Sequence, residues 1–158
     1  YFDRFKHSDV GWNYRMSNIH AAIGEGQLRN INKIIKIKKR IGNTYYKSFK
    51  HFKNIILQTN KLNYAENIYW VFGIVLKGKF KNKRNIIMKK LLKLGIETRP
   101  FFYPMSQQKI LKKYNYLKKL KFSNSLYISK NGFYIPSGLG LKNNEIKKVI
   151  TSIKKILN

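Results

Sequence analysis

Two stretches combine residue types and spacing that could do chemistry. The first is Gly11-Trp12-Asn13-Tyr14-Arg15-Met16-Ser17, placed directly ahead of a helical pattern. The Asn13 amide and the Arg15 guanidinium are donors, and a helix N-terminus adds unpaired N–H groups and the positive end of its dipole. Such a segment suits an anion, a phosphate above all. The same residues would equally serve a plain turn, with the asparagine capping the helix and the arginine solvated. The second stretch is Gly95-Ile96-Glu97-Thr98-Arg99-Pro100-Phe101-Phe102-Tyr103-Pro104-Met105. Two prolines pin an aromatic loop beside an arginine, giving a preorganised wall with a fixed cation at Arg99 and a phenol at Tyr103. The alternative is an aromatic plug at a sheet end, with Arg99 paired to Glu97 or to solvent.

Other chemistries are hard to build from this chain. The acids are Asp3, Asp9, Glu25, Glu66, Glu97 and Glu145, too scattered for a carboxylate pair. His7, His20 and His51 share no metal-ligand spacing, so no metal site is expected. There is no cysteine, hence no thiolate nucleophile and no disulfide framework, which fits a reducing cytoplasm. No GxGxxG or Walker-type phosphate loop occurs. The chain does not read as a self-contained catalytic machine.

The elements that must position the two stretches follow from periodicity. Met16 to about Lys39 is predicted helical, with Ser17 as N-cap and Ile19, Ala22, Ile23, Ile31, Ile34 and Ile35 mostly at helical spacing. Gly24 and Gly26 each cost about 1 kcal/mol relative to alanine there, which suggests a closely packed backbone or partner helix. The pattern resumes through Ile41, Tyr45 and Phe49, as one long helix or two joined near Gly42. Ile55 to Leu57 and Tyr69 to Leu76 read as strands. Asn82 to Leu94 is an amphipathic helix with Ile86, Ile87, Leu91 and Leu94 inward and Gly95 as its stop. Ile96 to Thr98 is a strand ended by Arg99-Pro100. Gln107 to Leu120 and Ser123 to Asn131 are short helices, and Phe133 to Ile135 is a strand. Asn143 caps a final helix with Ile146, Val149, Ile150, Ile153 and Ile156 on its apolar face. Short strands with helices to one side make an α+β layer.

Composition adds a formal charge of +28, from 34 basic and 6 acidic residues. A polyanion such as nucleic acid, or an anionic membrane surface, is the direct reading. Against it, the basic residues are 28 lysines and 6 arginines, whereas bidentate recognition of phosphates and bases favours arginine. The chain is also rich in isoleucine (21) and asparagine (17), which like lysine have AT-rich codons. Codon drift loads lysine onto any solvated face, so no specific nucleic acid partner is expected. No window approaches the ~18 uninterrupted apolar residues of a membrane span.

The two stretches, taken with others in order along the chain, resemble the DegT/DnrJ/StrS family of sugar aminotransferases, fold-type I enzymes dependent on pyridoxal 5'-phosphate (PLP). Gly11 to Gly24 is similar to the signature G-[YF]-N-Y-R-M-[ST]-x-[IL]-x-A-A-[IL]-G, and Gln27-Leu28 falls where the family has Gln-Leu. Tyr69-Trp70-Val71-Phe72 resembles a family strand. Gly95 to Pro100 with Tyr103-Pro104 resembles the loop that closes over the sugar. Ile135-Pro136-Ser137-Gly138, Leu141 and Glu145 resemble the terminal motif.

The resemblance implies an α/β fold: the C-terminal part of a fold-type I aminotransferase, with a long interdomain helix followed by a small, mostly antiparallel sheet flanked by helices. Residues 1–40 would end the large PLP domain and begin the connecting helix, and residues 41–158 would form the small domain. The implied reaction moves an amino group, with glutamate as donor, to a keto sugar on a nucleoside diphosphate, in a cytoplasmic homodimer. Asn13 would reach the PLP phosphate of the neighbouring subunit, with Arg15 nearby, and Arg99 and Tyr103 would shape the sugar pocket. The Thr-Arg-Pro-x-x-Tyr-Pro form is similar to the branch that aminates C4 of a 4-keto-6-deoxy sugar for surface polysaccharides. Where that branch commonly has a histidine after Tyr-Pro-[LM], this sequence has Ser106. The family's Schiff-base lysine lies upstream of Gly11 in a motif that none of the 28 lysines here occupies, so no lysine here receives that role, and the chain reads as roughly the last two fifths of a family member, inactive alone. The competing expectation is a non-catalytic basic module, derived from such a domain, that holds nucleic acid or an anionic surface.

Overall fold

The computed structural model describes residues 5–113 and 120–158. Helix α1 (Asn18–Leu28) begins where Ser17 takes the His20 N–H on its hydroxyl, as the N-cap reading anticipated. Helix α2 (Ile31–Phe49) follows after a break at Arg29-Asn30, not near Gly42. The break has a local cause: the Asn30 side-chain amide donates to the Gly26 carbonyl at 3.3 Å, ending α1 with a side chain.

Strand β1 (Ile55–Leu57) leads to a short hairpin of β2 (Lys61–Leu62) and β3 (Ala65–Glu66). Strand β4 (Phe72–Leu76) is buried along its whole length. It starts later than periodicity suggested because Tyr69 takes a left-handed φ of 53°, which turns the chain before the ladder begins. Helix α3 (Arg84–Lys93) ends in a Schellman motif. The Gly95 N–H donates to Leu92 O, the Ile96 N–H donates to Leu91 O, and Gly95 has φ 74°. Its inward side is Ile87, Met88 and Leu91, while Ile86 and Leu94 are exposed, so the inward stripe is rotated from the expected one.

The expected strand at Ile96–Thr98 lies further on, as β5 (Arg99–Pro100). In place of one helix from Gln107 to Leu120, two 3-10 turns cover Met105–Gln107 and Ile110–Lys113, residues 114–119 fall outside the described residues, and Leu120 is not helical. Helix α4 (Ser123–Asn131), strand β6 (Gly132–Ile135) and helix α5 (Asn143–Leu157) complete the chain. Asn143 is not the cap of α5. Its Oδ1 accepts from Arg40 at 2.7 Å, and Glu145 instead reaches back to the Lys142 N–H at 2.7 Å.

The four-stranded sheet has the order β1-β4-β6-β5, all antiparallel. Side chains alternate across it. Phe72, Ile74, Leu76, Phe133 and Ile135 join Ile41, Tyr45 and Phe49 of α2, Leu91 of α3 and Ile146 of α5 in one apolar core. The opposite face carries Gly73 and Gly132, and the ring of Phe101 lies over both. The α4–β6 corner is held by Asn131, which is 1% exposed. It accepts the Asn82 N–H at 2.7 Å and donates to Tyr127 O at 3.0 Å. Asn131→Ala removes the acceptor of the Asn82 N–H and a donor to Tyr127 O, and is expected to lower stability by about 1 kcal/mol in denaturant unfolding. A loss under about 0.5 kcal/mol would show those groups finding other partners.

Candidate functional site

The first stretch projects. Residues 8–17 have no helix or strand, and Asn13 and Arg15 are both exposed. Because Ser17 caps α1, Asn13 is released from the capping role that was its alternative use. The apolar neighbours point outward too: Trp12 is 80% and Tyr14 83% exposed, and α1 buries no residue at all. The close neighbour expected at Gly24 and Gly26 is not supplied by the described residues, since an added Cβ at either meets nothing of theirs within 4 Å. Glu25 pairs with Arg29 at 2.7 Å, and Asp9 accepts its neighbour's Val10 N–H at 2.8 Å.

The second stretch is built into the sheet. Arg99 stands opposite Tyr134 in the ladder and Pro100 opposite Phe133. The next residue, Phe101, donates its N–H to Gly132 O at 3.1 Å and lays its ring on the two glycines. Tyr134 flanks the loop, with ring centroids 6.2 Å from Phe101 and 6.5 Å from Phe102. Beyond it Pro104 is buried, and Gln108 clamps the start of the chain: it accepts the His7 N–H at 2.8 Å and donates to Phe5 O at 2.7 Å. Phe5 meets Phe102 at 4.7 Å, and the Lys6 ammonium sits 5.7 Å over the Tyr103 ring.

Arg99 and Tyr103 line different clefts. Arg99 shares one of about 360 Å³ with Lys38, Glu97, Tyr134 and Ser137. Tyr103 lies in another of about 440 Å³ with Lys6, Arg84 and Lys130. Pro100 and Phe101, which lie between them in the chain, line the second cleft and not the first.

Lys38 is a positioning residue that sequence reasoning missed. Its ammonium donates to Trp70 O at 2.7 Å and to Ser137 O at 2.6 Å, tying α2 to both loops that hold the later motifs. Burial lowers its pKa from the ordinary lysine value. Beside it the Tyr45 hydroxyl donates to Pro136 O at 2.9 Å, and burial pushes that phenol far above its ordinary range, so it stays a donor. Nothing in the sequence distinguishes Lys38 from the other lysines. Its signal is three-dimensional, the convergence of two carbonyls on one helix position.

Among the described residues no three His, Cys, Asp or Glu side chains are placed to hold a metal, and no helix is long and apolar enough to cross a membrane. The Asn13 and Arg15 donors, with no carboxylate among residues 10–17, fit a phosphate such as that of PLP.

Comparison with known proteins bears on the family and the fold. The model of the DegT/DnrJ/EryC1/StrS aminotransferase family matches residues 1–154. GDP-perosamine synthase of Vibrio cholerae is 36% identical over 157 residues, which is 98% of this chain and 41% of that protein. The protein of the same name in Caulobacter vibrioides is 29% identical over 150 residues, 94% of this chain and 39% of its own length. Helicobacter pylori PseC, described as an aminotransferase of pseudoaminic acid biosynthesis, superimposes with a TM-score of 0.78 at 18% identity, over 95% of this chain and 40% of that one. The chain thus spans about two fifths of the length of the curated relatives it matches. The fold is the C-terminal part of a sugar aminotransferase, with its small antiparallel sheet and flanking helices.

Proposed function

The chain belongs to the DegT/DnrJ/EryC1/StrS aminotransferase family, and from that membership we propose that it serves a PLP-dependent enzyme aminating a nucleotide-linked 4-keto-6-deoxy sugar at C4. Glutamate is the amino donor, and the product serves surface polysaccharide synthesis in the cytoplasm. The enzyme is a homodimer, and residues 1–40 belong with its large domain while residues 41–158 form the small one. That division is supported by burial, which begins at Ile41 of α2 and is absent from α1. The observation that carries the reading is the projecting segment before Ser17. It holds two phosphate donors outward on a stretch flanked by exposed aromatic residues, where this chain has no use for either.

PLP, when bound, supplies the electron sink for moving the amino group. Asn13 and Arg15 bind its phosphate on the neighbouring subunit, each donating N–H groups to an oxygen anion. Arg99 and Tyr103 flank the Pro100–Phe102 stretch in the chain and hold the nucleotide-linked sugar, each from its own cleft. Pro100 and the seated Phe101 keep that stretch rigid, so little loop entropy is lost when substrate binds. None of the lysines here, Lys6 included, stands in the family's lysine motif, so none serves as the Schiff-base residue.

Two measurements test the reading. Alone, the chain is expected to give no borohydride-reducible PLP adduct at one specific lysine, and such an adduct would overturn the lysine assignment. In the dimeric enzyme, Asn13→Ala is expected to weaken PLP binding by about tenfold or more, the worth of a charge-assisted hydrogen bond. Unchanged cofactor affinity would remove Asn13 from the site. Asn13 is exposed, so the variant is expected to keep its fold, and circular dichroism checks that.

A further inference from the structure

Of the 17 asparagines in the chain only Asn131 is followed by glycine. That pair is the one most prone to close on itself, because glycine has no side chain to keep its backbone nitrogen from reaching the neighbouring amide carbon. The fold holds the two reacting groups apart. Asn131 is the last residue of α4, and helical backbone does not bring the next nitrogen onto the side-chain carbon. The residue is 1% exposed and its amide is pinned at both ends, Oδ1 by the Asn82 N–H at 2.7 Å and Nδ2 on Tyr127 O at 3.0 Å. The nitrogen that would attack is committed as well, since the Gly132 N–H donates to Ile128 O. All these constraints belong to the corner between α4 and β6. That corner is itself anchored through side chains: the Tyr127 hydroxyl donates to Leu76 O of β4 at 3.1 Å, and Arg84 Nη1 donates to Ser129 O.

We propose that Asn131-Gly132 is a latent self-modification site, kept silent by the closed corner and triggered when the corner opens. On opening, the Gly132 nitrogen gives up its proton to solvent base and bonds to Asn131 Cγ, while the bond from Cγ to Nδ2 breaks and ammonia leaves. The cyclic imide then takes up water. Cleavage at Cγ leaves aspartate, cleavage at the backbone carbonyl leaves isoaspartate, and nothing is oxidised or reduced. Neither product fits the closed corner. Aspartate replaces the donor to Tyr127 O by an acceptor facing another oxygen, and leaves a carboxylate desolvated. Isoaspartate adds an extra backbone carbon between α4 and β6, where Gly132 stands opposite Val75 and Tyr134 opposite Arg99. The reaction is therefore a one-way latch, because a corner that has opened and reacted does not reclose as before. Ser129 and Lys130 beside it line the Tyr103 cleft, so the latch also displaces a wall of that cleft. None of this depends on the amination chemistry.

Peptide mapping by mass spectrometry tests this on the full chain held at mildly alkaline pH, in the native state and in urea. In urea, Asn131 is expected to react ahead of every other asparagine and to give both products, and Gly132→Ala should slow it by about tenfold or more. In the native chain the same reaction should run about a hundredfold slower or more, since it waits on local opening. Tyr127→Phe removes only the hydroxyl anchor to β4 and should speed the native reaction by about fivefold, the worth of one hydrogen bond. Chain carrying either product should unfold at a lower denaturant concentration than unreacted chain. Equal rates in the native and unfolded chain, a Tyr127→Phe rate equal to that of the unaltered chain, or faster reaction at another asparagine in urea would each overturn the proposal. Circular dichroism checks that the Tyr127 variant is folded, and if it is not, the native-against-urea comparison of the unaltered chain carries the test. An aminotransferase reading that failed on Asn13 would leave these rates unchanged.

Discussion

Gly42→Ala is expected to lower the stability of the chain by about 3 kcal/mol, at the upper end of what overpacking a core costs. An alanine Cβ at this position would stand 2.2 Å from Cγ and Cδ2 of Tyr69 and 2.7 Å from its Cβ. Relief would require the tyrosine to move, and it is held on every side. Its N–H donates to Asn67 Oδ1 at 2.7 Å and its hydroxyl to Asn60 Oδ1 at 2.6 Å. Its ring stacks on Phe72 at 5.6 Å, and its φ of 53° is already a conformation that a bulky residue resists. The alternative, shifting α2 outward, would open the contacts of Ile41, Tyr45 and Phe49 and strain the Lys38 bonds to Trp70 and Ser137. Chemical denaturation measures the loss as a fall in midpoint at constant slope. A loss under about 0.5 kcal/mol would mean that the helix and the Tyr69 turn slide freely past each other. The control lies in the same helical region: Gly24→Ala and Gly26→Ala meet open space and should each raise helix stability by about 1 kcal/mol. Should either variant weaken dimer formation instead, the close partner that their presence suggested would lie on another subunit.

How much of this was legible in the sequence depends on whether a signal was local. Ser17, Gly95 and the apolar stripe of α5 announce themselves through capping chemistry, left-handed backbone and 3.6-residue periodicity, and all three act as read. The break between α1 and α2 did not, because isoleucines recur at helical spacing straight across Arg29-Asn30 and the terminating bond runs through a side chain. The β2–β3 hairpin has two exposed residues per strand and so no alternation to detect. Asn143 looks like a cap by type, yet Arg40, 103 residues away in sequence, claims its oxygen. The candidate site divides in the same manner. Residue types at Asn13, Arg15, Arg99 and Tyr103 carry chemistry wherever they sit. The staple at Lys38 and the cationic cleft around Arg84 exist through contacts between distant elements, and a lysine-rich composition hides both.

Gly132→Ala should be as damaging as Gly42→Ala, at about 3 kcal/mol, for a reason that can be separated into parts. Its added Cβ would lie 2.4 Å from Cδ2 and 2.8 Å from Cε2 of Phe101, and also 2.5 Å from the backbone oxygen of Ile128. The ring could rotate away. The carbonyl cannot, since it accepts the Gly132 N–H that closes α4. Gly73 offers the contrast: its Cβ would stand 2.5 Å from Cζ and 2.9 Å from Cε1 of Phe101, and the next contact outside that ring is Gln58 at an ordinary 3.7 Å. Gly73→Ala should therefore displace the ring alone and cost about 1 kcal/mol. Double-mutant cycles with Phe101→Ala distinguish the two. With the ring gone, Gly73→Ala should become nearly neutral, whereas Gly132→Ala should keep most of its cost through the Ile128 oxygen. If both became neutral, the seat of Phe101 would be the whole reason for the glycine pair. If neither did, the ring would not rest on them at all. The functional consequence follows from position. Phe101 stands between Arg99 and Tyr103 in the chain and lines the Tyr103 cleft, so lifting it by Gly73→Ala should disturb both residues at little expense in stability. In the dimeric enzyme that variant is expected to raise KM for the nucleotide sugar while leaving cofactor affinity at Asn13 untouched, a split that general destabilisation would not produce.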